Sequence, residues 1–259
     1  MKVAQISLDG YFNNGNVLQK YALQKTLKKF ADEVEFLWHG DNNFWPETGE
    51  LPYIPAWQME SNPNPMPGIY ILDAIRCLKI KEFDNRYIKT RFNLPYIEKT
   101  ADEYDFFVVG SDQIWNPFCE PINMMVSIIF LSFVPNAKKI AYAASIAIPE
   151  IPDEVKNYFR DGISTFPHVS VREENAVKII EELGLEPPPV LIDPVLLLTP
   201  DEWLKIARRP LWLNEKYERG YILTYYLRNL PPPEIKSVAD KFNFPVINLM
   251  DSSNFNHYI

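Results

Sequence analysis

The chain has 259 residues, 47% hydrophobic and 23% charged, with a formal net charge of −8. That is the balance of a globular protein, with length for one large domain or two ordinary ones. The acidity excludes a nucleic-acid backbone as the main partner, which demands a basic face, and disfavours a constitutive electrostatic hold on anionic lipid.

Only 9 glycines stand against 23 prolines, and no G-x-G-x-x-G phosphate loop is among them. Cys77 and Cys119 lie far apart, and His39, His168 and His257 are scattered singly. No disulfide framework and no metal-ligand spacing follows from them. No apolar run reaches the length of a secretory signal or a membrane span, so a cytoplasmic location is expected.

In chain order, residues 2–7 read as a strand. Residues 16–31 read as an amphipathic helix with Val17, Tyr21, Leu23, Leu27 and Phe30 on or near one face. A second strand is expected at 34–38. The proline-dense stretch 41–68 has no regular period, and a connection of that length inside a compact domain is usually functional or mobile. Its Trp45 and Trp57 suit either stacking on a sugar ring or anchoring of the loop.

A helix is expected at 69–88, a strand at 106–110, an apolar segment at 128–134 and a strand at 139–145. Residues 152–164 form a helix that opens on proline and acidic residues. A short strand "VSVRE", a helix over 173–184 ended by Gly184 and a strand "PVLIDP" complete the series. This alternation, with strands apolar on both faces, predicts an α/β domain over residues 1–198, a Rossmann-like parallel sheet with flanking helices. Residues 199–219 form a linker with a capped helix over 199–209. The start of a second Rossmann-like domain spans 220–259: strand 221–227, helix 232–243, strand 245–250. One βαβ unit is too small to cover both faces of its strands. The second domain is therefore expected to be truncated, or covered by a partner chain.

Gly10 and Gly15 have Walker-type spacing, but Asn16 and Val17 replace the lysine and the hydroxyl residue, which excludes that nucleotide site. H-E-x-x-H and G-x-S-x-G are absent too. What remains is polar residues at the carboxyl ends of the expected parallel strands, where open α/β sheets bind ligands. They are Asn13, Asn14, Gly15 and Asn16 after the first strand, with Gln19 a turn further on; Ser111, Asp112, Gln113, Trp115 and Asn116 after "FFVVG"; Ser145 after "AYAA"; and Arg172 and Glu173 after "VSV". Helix or turn capping is the ordinary alternative at each place. Four at one sheet edge favour a cleft. The Arg172 fork matches carboxylate or phosphate, with an internal ion pair to Glu173, Glu174 or Asp112 as its alternative.

The succession "NNGNVLQKYALQ" (13–24), "YDFFVVGSDQIWNP" (104–117), "KKIAYAASIA" (138–147), "VSVREENAVKIIEELG" (170–184) and "PVLIDPVLLLTPDEW" (189–203) resembles the polysaccharide pyruvyl transferase family in order, spacing and identity. The resemblance implies two Rossmann-like halves facing across a cleft, similar to the glycosyltransferase-B arrangement. It implies transfer of a pyruvyl group from phosphoenolpyruvate onto two hydroxyls of a sugar, giving a ketal, in bacterial capsule, exopolysaccharide or cell-wall assembly.

Phosphoenolpyruvate enters there as donor substrate, with no cofactor and no metal required, and the acceptor is a glycan or lipid-linked sugar. Peripheral membrane association and a homo-oligomer are compatible with it. By the family pattern Arg172 takes the phosphate or carboxylate of the donor. Asp112, the second catalytic candidate, orients acceptor hydroxyls with Gln113 or supports loop geometry. The general acid is expected in the second half. There the family carries an "SFHG"-like segment, which His257 in "SNFNHYI" does not match, and an aromatic residue usually stands where Asn14 does. A nucleotide-sugar glycosyltransferase of similar fold, and a non-catalytic sugar- or phosphate-binding module that dimerises through an exposed sheet edge, are the alternatives.

Overall fold

The computed structural model describes residues 1–8, 13–37, 67–91, 97–117, 128–210, 213, 215–225 and 232–248, with backbone alone at 67–76 and 216. Trp45, Trp57, His39, Cys119, His257 and nearly all of the 41–68 stretch lie outside the described residues. The chain divides into two compact units, Met1–Phe44 with Lys79–Pro200, and Trp45–Leu78 with Asp201–Ile259.

The first unit is built on a six-stranded sheet. Its strands are β1 (Lys2–Ile6), β2 (Glu33–Leu37), β3 (Thr90–Arg91), β4 (Phe106–Val109), β5 (Lys139–Ala144) and β6 (His168–Val171), in the order β3-β2-β1-β4-β5-β6. Every neighbouring pair is parallel. This is the doubly wound order, whose direction of winding reverses between β1 and β4.

Side chains of a strand alternate between faces, and here both faces are apolar. Ala4, Ile6, Phe107, Val109 and Ala141 pack with Val155, Phe159 and Ile163 of helix α3 (Asp153–Ile163) and with Ala176, Ile179 and Ile180 of α4 (Glu174–Glu182). The intervening Val3, Val34 and Val108 pack with Leu23 of α1 (Asn14–Leu27). Helix α2 (Pro67–Tyr87) reaches α1 through the edge-on contact of Phe83 with Tyr21, ring centroids 5.7 Å apart.

Three expectations shift. The first helix ends at Leu27, and Phe30, expected inward, is 74% exposed. The same helix buries polar Asn16, Lys20 and Gln24 along with its apolar residues. Gln24 places both ends of its amide on the Lys89 backbone, at 3.1 and 2.9 Å, and the Lys20 ammonium lies 3.7 Å from Asp84. The expected strand "PVLIDP" is reduced to a single parallel bridge between Val190 and Val171, followed by a 3-10 turn over Pro194–Leu197. Prolines 187–189 carry no donor for a ladder, and the Asp193 side chain accepts from Val195 N, so the chain turns instead. The helix expected over 199–209 is α5, Pro200–Leu204.

In the second unit, β7 (Ile222–Thr224) and β8 (Val246–Asn248) pair in parallel, with α6 (Glu234–Phe242) between them in the chain. Its buried apolar residues among those described are Cys77, Ala239 and Ile247. Among the described residues no helix is long and apolar enough to cross a membrane.

Candidate active site

The polar strand ends lie along the carboxyl edge of the sheet, those of β1 and β4 flanking the point where its winding reverses and those of β5 and β6 beyond it. β4 delivers Gly110 at φ 123°, a conformation open to glycine alone. A Cβ here would lie 3.2 Å from the carbonyl carbon of Tyr142 and closer still to its oxygen. The close approach of β4 to β5 therefore requires glycine. Asp112 follows at φ 52°, in the left-handed region that a short polar side chain tolerates.

From there a circuit of contacts runs around the carboxyl edge. Asn13 caps α1, its Oδ1 accepting from Gly15 N at 2.8 Å and Asn16 N at 3.3 Å. Asn16 Nδ2 donates to Leu8 O at 3.1 Å and to Asp112 Oδ2 at 2.8 Å, bridging the crevice between β1 and β4. The Asp112 carbonyl accepts from Ser145 N at 3.0 Å, tying the β4 loop to the β5 loop. Ser145 Oγ donates to Glu173 Oε1 at 3.0 Å, and that same oxygen accepts from Ile146 N at 2.8 Å and Ala147 N at 3.0 Å.

Beside it, Arg172 Nε lies 3.8 Å from Glu173 Oε2, and Arg172 Nη1 donates to Asp193 Oδ2 at 3.2 Å. Gln19 Nε2 donates to the same Asp193 oxygen, which returns the circuit to α1. Tyr142 adds its hydroxyl, donated to Ile192 O at 3.2 Å. Burial first, and the neighbouring Asp193 carboxylate second, raise that phenol above its ordinary value.

The residues anticipated from sequence thus fall into three groups. Asn16, Gln19, Asp112, Ser145, Arg172 and Glu173 are joined in one circuit. Asn13 is a helix cap, and Asn14 and Gly15 are exposed beside it. Ser111 and Trp115 belong to the interior: Ser111 Oγ donates to Ala143 O at 2.7 Å, and the fully buried Trp115 indole donates to Ile129 O at 3.1 Å amid Phe130 and Phe166. Gln113 and Asn116 bond each other through their side chains at 2.9 Å.

Of the ion-pair partners weighed for Arg172, Glu173 is present; Asp112 instead bonds Asn16. Asp193, the stronger partner, was not anticipated. Its signal was the Asp-Pro dipeptide, a turn opener hidden in an apolar run.

Two acceptors stand out chemically. Asn16 Oδ1 and Gln19 Oε1 are buried without a hydrogen-bond partner among the described residues. An unmet buried acceptor costs about 1–3 kcal/mol. Alongside lies a guanidinium with donors uncommitted among the described residues, suited to a carboxylate or phosphate. Among the described residues no cluster of three or more His, Cys, Asp or Glu side chains is placed to hold a metal ion.

A doubly wound α/β sheet with polar side chains along its carboxyl edge is the arrangement in which open α/β domains bind their ligands. The family profile described as polysaccharide pyruvyl transferase matches residues 13–251, and the chain belongs to that family. It is accordingly of a transferase class that carries a pyruvyl group to a polysaccharide acceptor. No curated protein and no solved structure matches the chain.

Proposed function

We propose that the protein transfers the pyruvyl carbons of phosphoenolpyruvate onto two hydroxyls of a glycan or lipid-linked sugar, forming a pyruvate ketal for a bacterial capsule, exopolysaccharide or cell-wall polymer. The observation that carries this reading is Arg172. Its guanidinium is 23% exposed at the end of β6 and held between two carboxylates in a circuit that spans the switch point.

In this chemistry an acid protonates C3 of the enol and positive charge develops at C2. A sugar hydroxyl adds to C2 and gives up its proton, the C2–O bond to phosphate breaks, and a second hydroxyl closes the ketal. One hydroxyl proton restores the acid and the other leaves with phosphate. Arg172 serves as the anchor for the anionic donor, and its charge also stabilises the departing phosphate. The Asn16 and Gln19 amide oxygens suit acceptor hydroxyls, and Asp112 orients Asn16.

Incubation with phosphoenolpyruvate and a panel of hexose acceptors is expected to release inorganic phosphate together with an increase in acceptor mass. Absence of both with every acceptor would overturn the reading. Arg172→Ala is expected to raise the KM for phosphoenolpyruvate about a hundredfold, the loss of a charge-assisted contact, with the protein still folded.

A further inference from the structure

Asp193 has no assigned role, yet it is the residue at which the circuit closes. One of its oxygens receives Arg172 from the end of β6 at 3.2 Å and Gln19 from α1, while the other receives Val195 N of its own turn at 3.0 Å. The carboxylate is 22% exposed, and it is fixed from behind by a backbone donor. It therefore cannot swing away when the crevice changes occupant, and whatever it holds keeps its orientation.

Three donors share its two oxygens. Its neighbour Glu173 is likewise fixed, with three donors on Oε1. The guanidinium thus donates through Nη1 to Asp193 at 3.2 Å, with Glu173 3.8 Å from its Nε, and Nη2 is uncommitted among the described residues.

We propose that Asp193 is the positioning residue of the site: it sets the plane of the Arg172 fork and locks that fork to α1 through Gln19, so that donor anion and acceptor hydroxyls meet in one frame. The proposal rests on the reading of Arg172 as the donor anchor. It also predicts a direction. Asp193 withdraws charge from Arg172, so a purely electrostatic role would make its removal tighten anion binding, whereas a positioning role makes removal weaken it.

The test measures KM for phosphoenolpyruvate and kcat for wild type, Asp193→Ala, Asp193→Asn, Arg172→Ala and the Asp193→Ala/Arg172→Ala double variant, each with its thermal unfolding midpoint. Asp193→Ala is expected to raise the donor KM about tenfold or more, in line with the cost of a small misplacement. Asp193→Asn, which keeps an acceptor oxygen for Arg172 and Gln19, is expected to recover at least half of that loss on a logarithmic scale. The double variant should be no worse than Arg172→Ala alone, since two residues acting as a unit are not additive.

An unchanged or lowered donor KM in Asp193→Ala, or a double variant whose losses multiply, overturns the proposal while leaving Arg172 as anchor. An unchanged donor KM in Arg172→Ala overturns the underlying reading itself. If Asp193→Ala does not fold, Asp193→Asn decides: a donor KM within twofold of wild type with Arg172→Ala impaired supports positioning by an oxygen acceptor, and a tightened donor KM overturns it.

Discussion

Substituting Gly110 by alanine tests the close approach on which the site is built. The new Cβ would fall 3.2 Å from the Tyr142 carbonyl carbon and inside contact distance of its oxygen. Because the obstacle is backbone in the centre of a parallel sheet, no side-chain rotation relieves it. The φ of 123° adds a conformational penalty for any L side chain. Strain of this kind costs on the order of 1–3 kcal/mol, and overpacking a similar amount.

Together they place Gly110→Ala about 3–4 kcal/mol below wild type, a shift of roughly 10 °C in midpoint for a unit of this size. Gly184 provides the control, with φ 78° and nothing within 4 Å of the place a methyl group would occupy. Gly184→Ala should lose only the conformational part, about 1 kcal/mol. Urea unfolding followed by circular dichroism gives both values, with equal slopes required for the comparison. If Gly110→Ala falls within about 1 kcal/mol of Gly184→Ala, the steric argument is refuted, and with it the claim that β4 and β5 set the position of Asp112.

Three other outcomes follow from the same interactions. Asn16→Ala removes the donor shared by Leu8 O and Asp112 and is expected to lose about 1–3 kcal/mol in urea unfolding; a loss below about 0.5 kcal/mol would mean the bridge is idle. Glu35 is half a surface group: burial opposes its ionisation, but hydrogen bonds from Tyr104, Lys89 and Lys2 prevail and hold its carboxyl at about 2, against 4.5 for an ordinary glutamate. Its contribution is therefore complete above pH 4.5 and lost as the pH falls towards 2. After solvent screening it amounts to about 1 kcal/mol, and Glu35→Gln should flatten that limb of the stability curve. Asp84→Ala removes the carboxylate 3.7 Å from the fully buried Lys20 ammonium, at an expected loss of about 3–5 kcal/mol. Adding Lys20→Met should recover most of that loss, and no recovery would show that the pair is not what holds Lys20.

Period and punctuation made the sheet legible. Strands such as "FFVVG" are apolar on both faces because helices cover both, and the abrupt change at Ser111 marks where β4 leaves the sheet. Of the residues after the first strand, Asn13 is a cap, while Asn16, one turn on, bridges to Asp112. Letters alone could not separate Trp115 from a ligand-stacking aromatic, since a tryptophan after a strand is equally suited to the interior, where its indole finds Ile129 O. Nor could the helical pattern of 16–31 show that Asn16, Lys20 and Gln24 face inward. A polar row at intervals of four reads as a solvated face until its partners, Asp112, Asp84 and the Lys89 backbone, arrive from distant parts of the chain. Asp193 was hidden for the same reason, its partners lying 21 and 174 residues away.

That distribution explains how ordinary caps add up to a site. A neutral hydrogen bond contributes only about 1 kcal/mol net, too little for any one strand end to hold a charged group in a fixed direction. Joined from Asn16 through Asp112, Ser145, Glu173, Arg172 and Asp193 back to Gln19, each bond limits the motion available to the next, and the loops of four strands and one helix end become a single frame. The buried Asn16 Oδ1 and Gln19 Oε1, and the outer donors of the partly exposed Arg172, then have the geometry of the frame rather than the freedom of a loop. On the proposed reading such a frame would meet its ligand with little reorganisation, which is the condition under which a few polar contacts can favour a developing charge over its ground state.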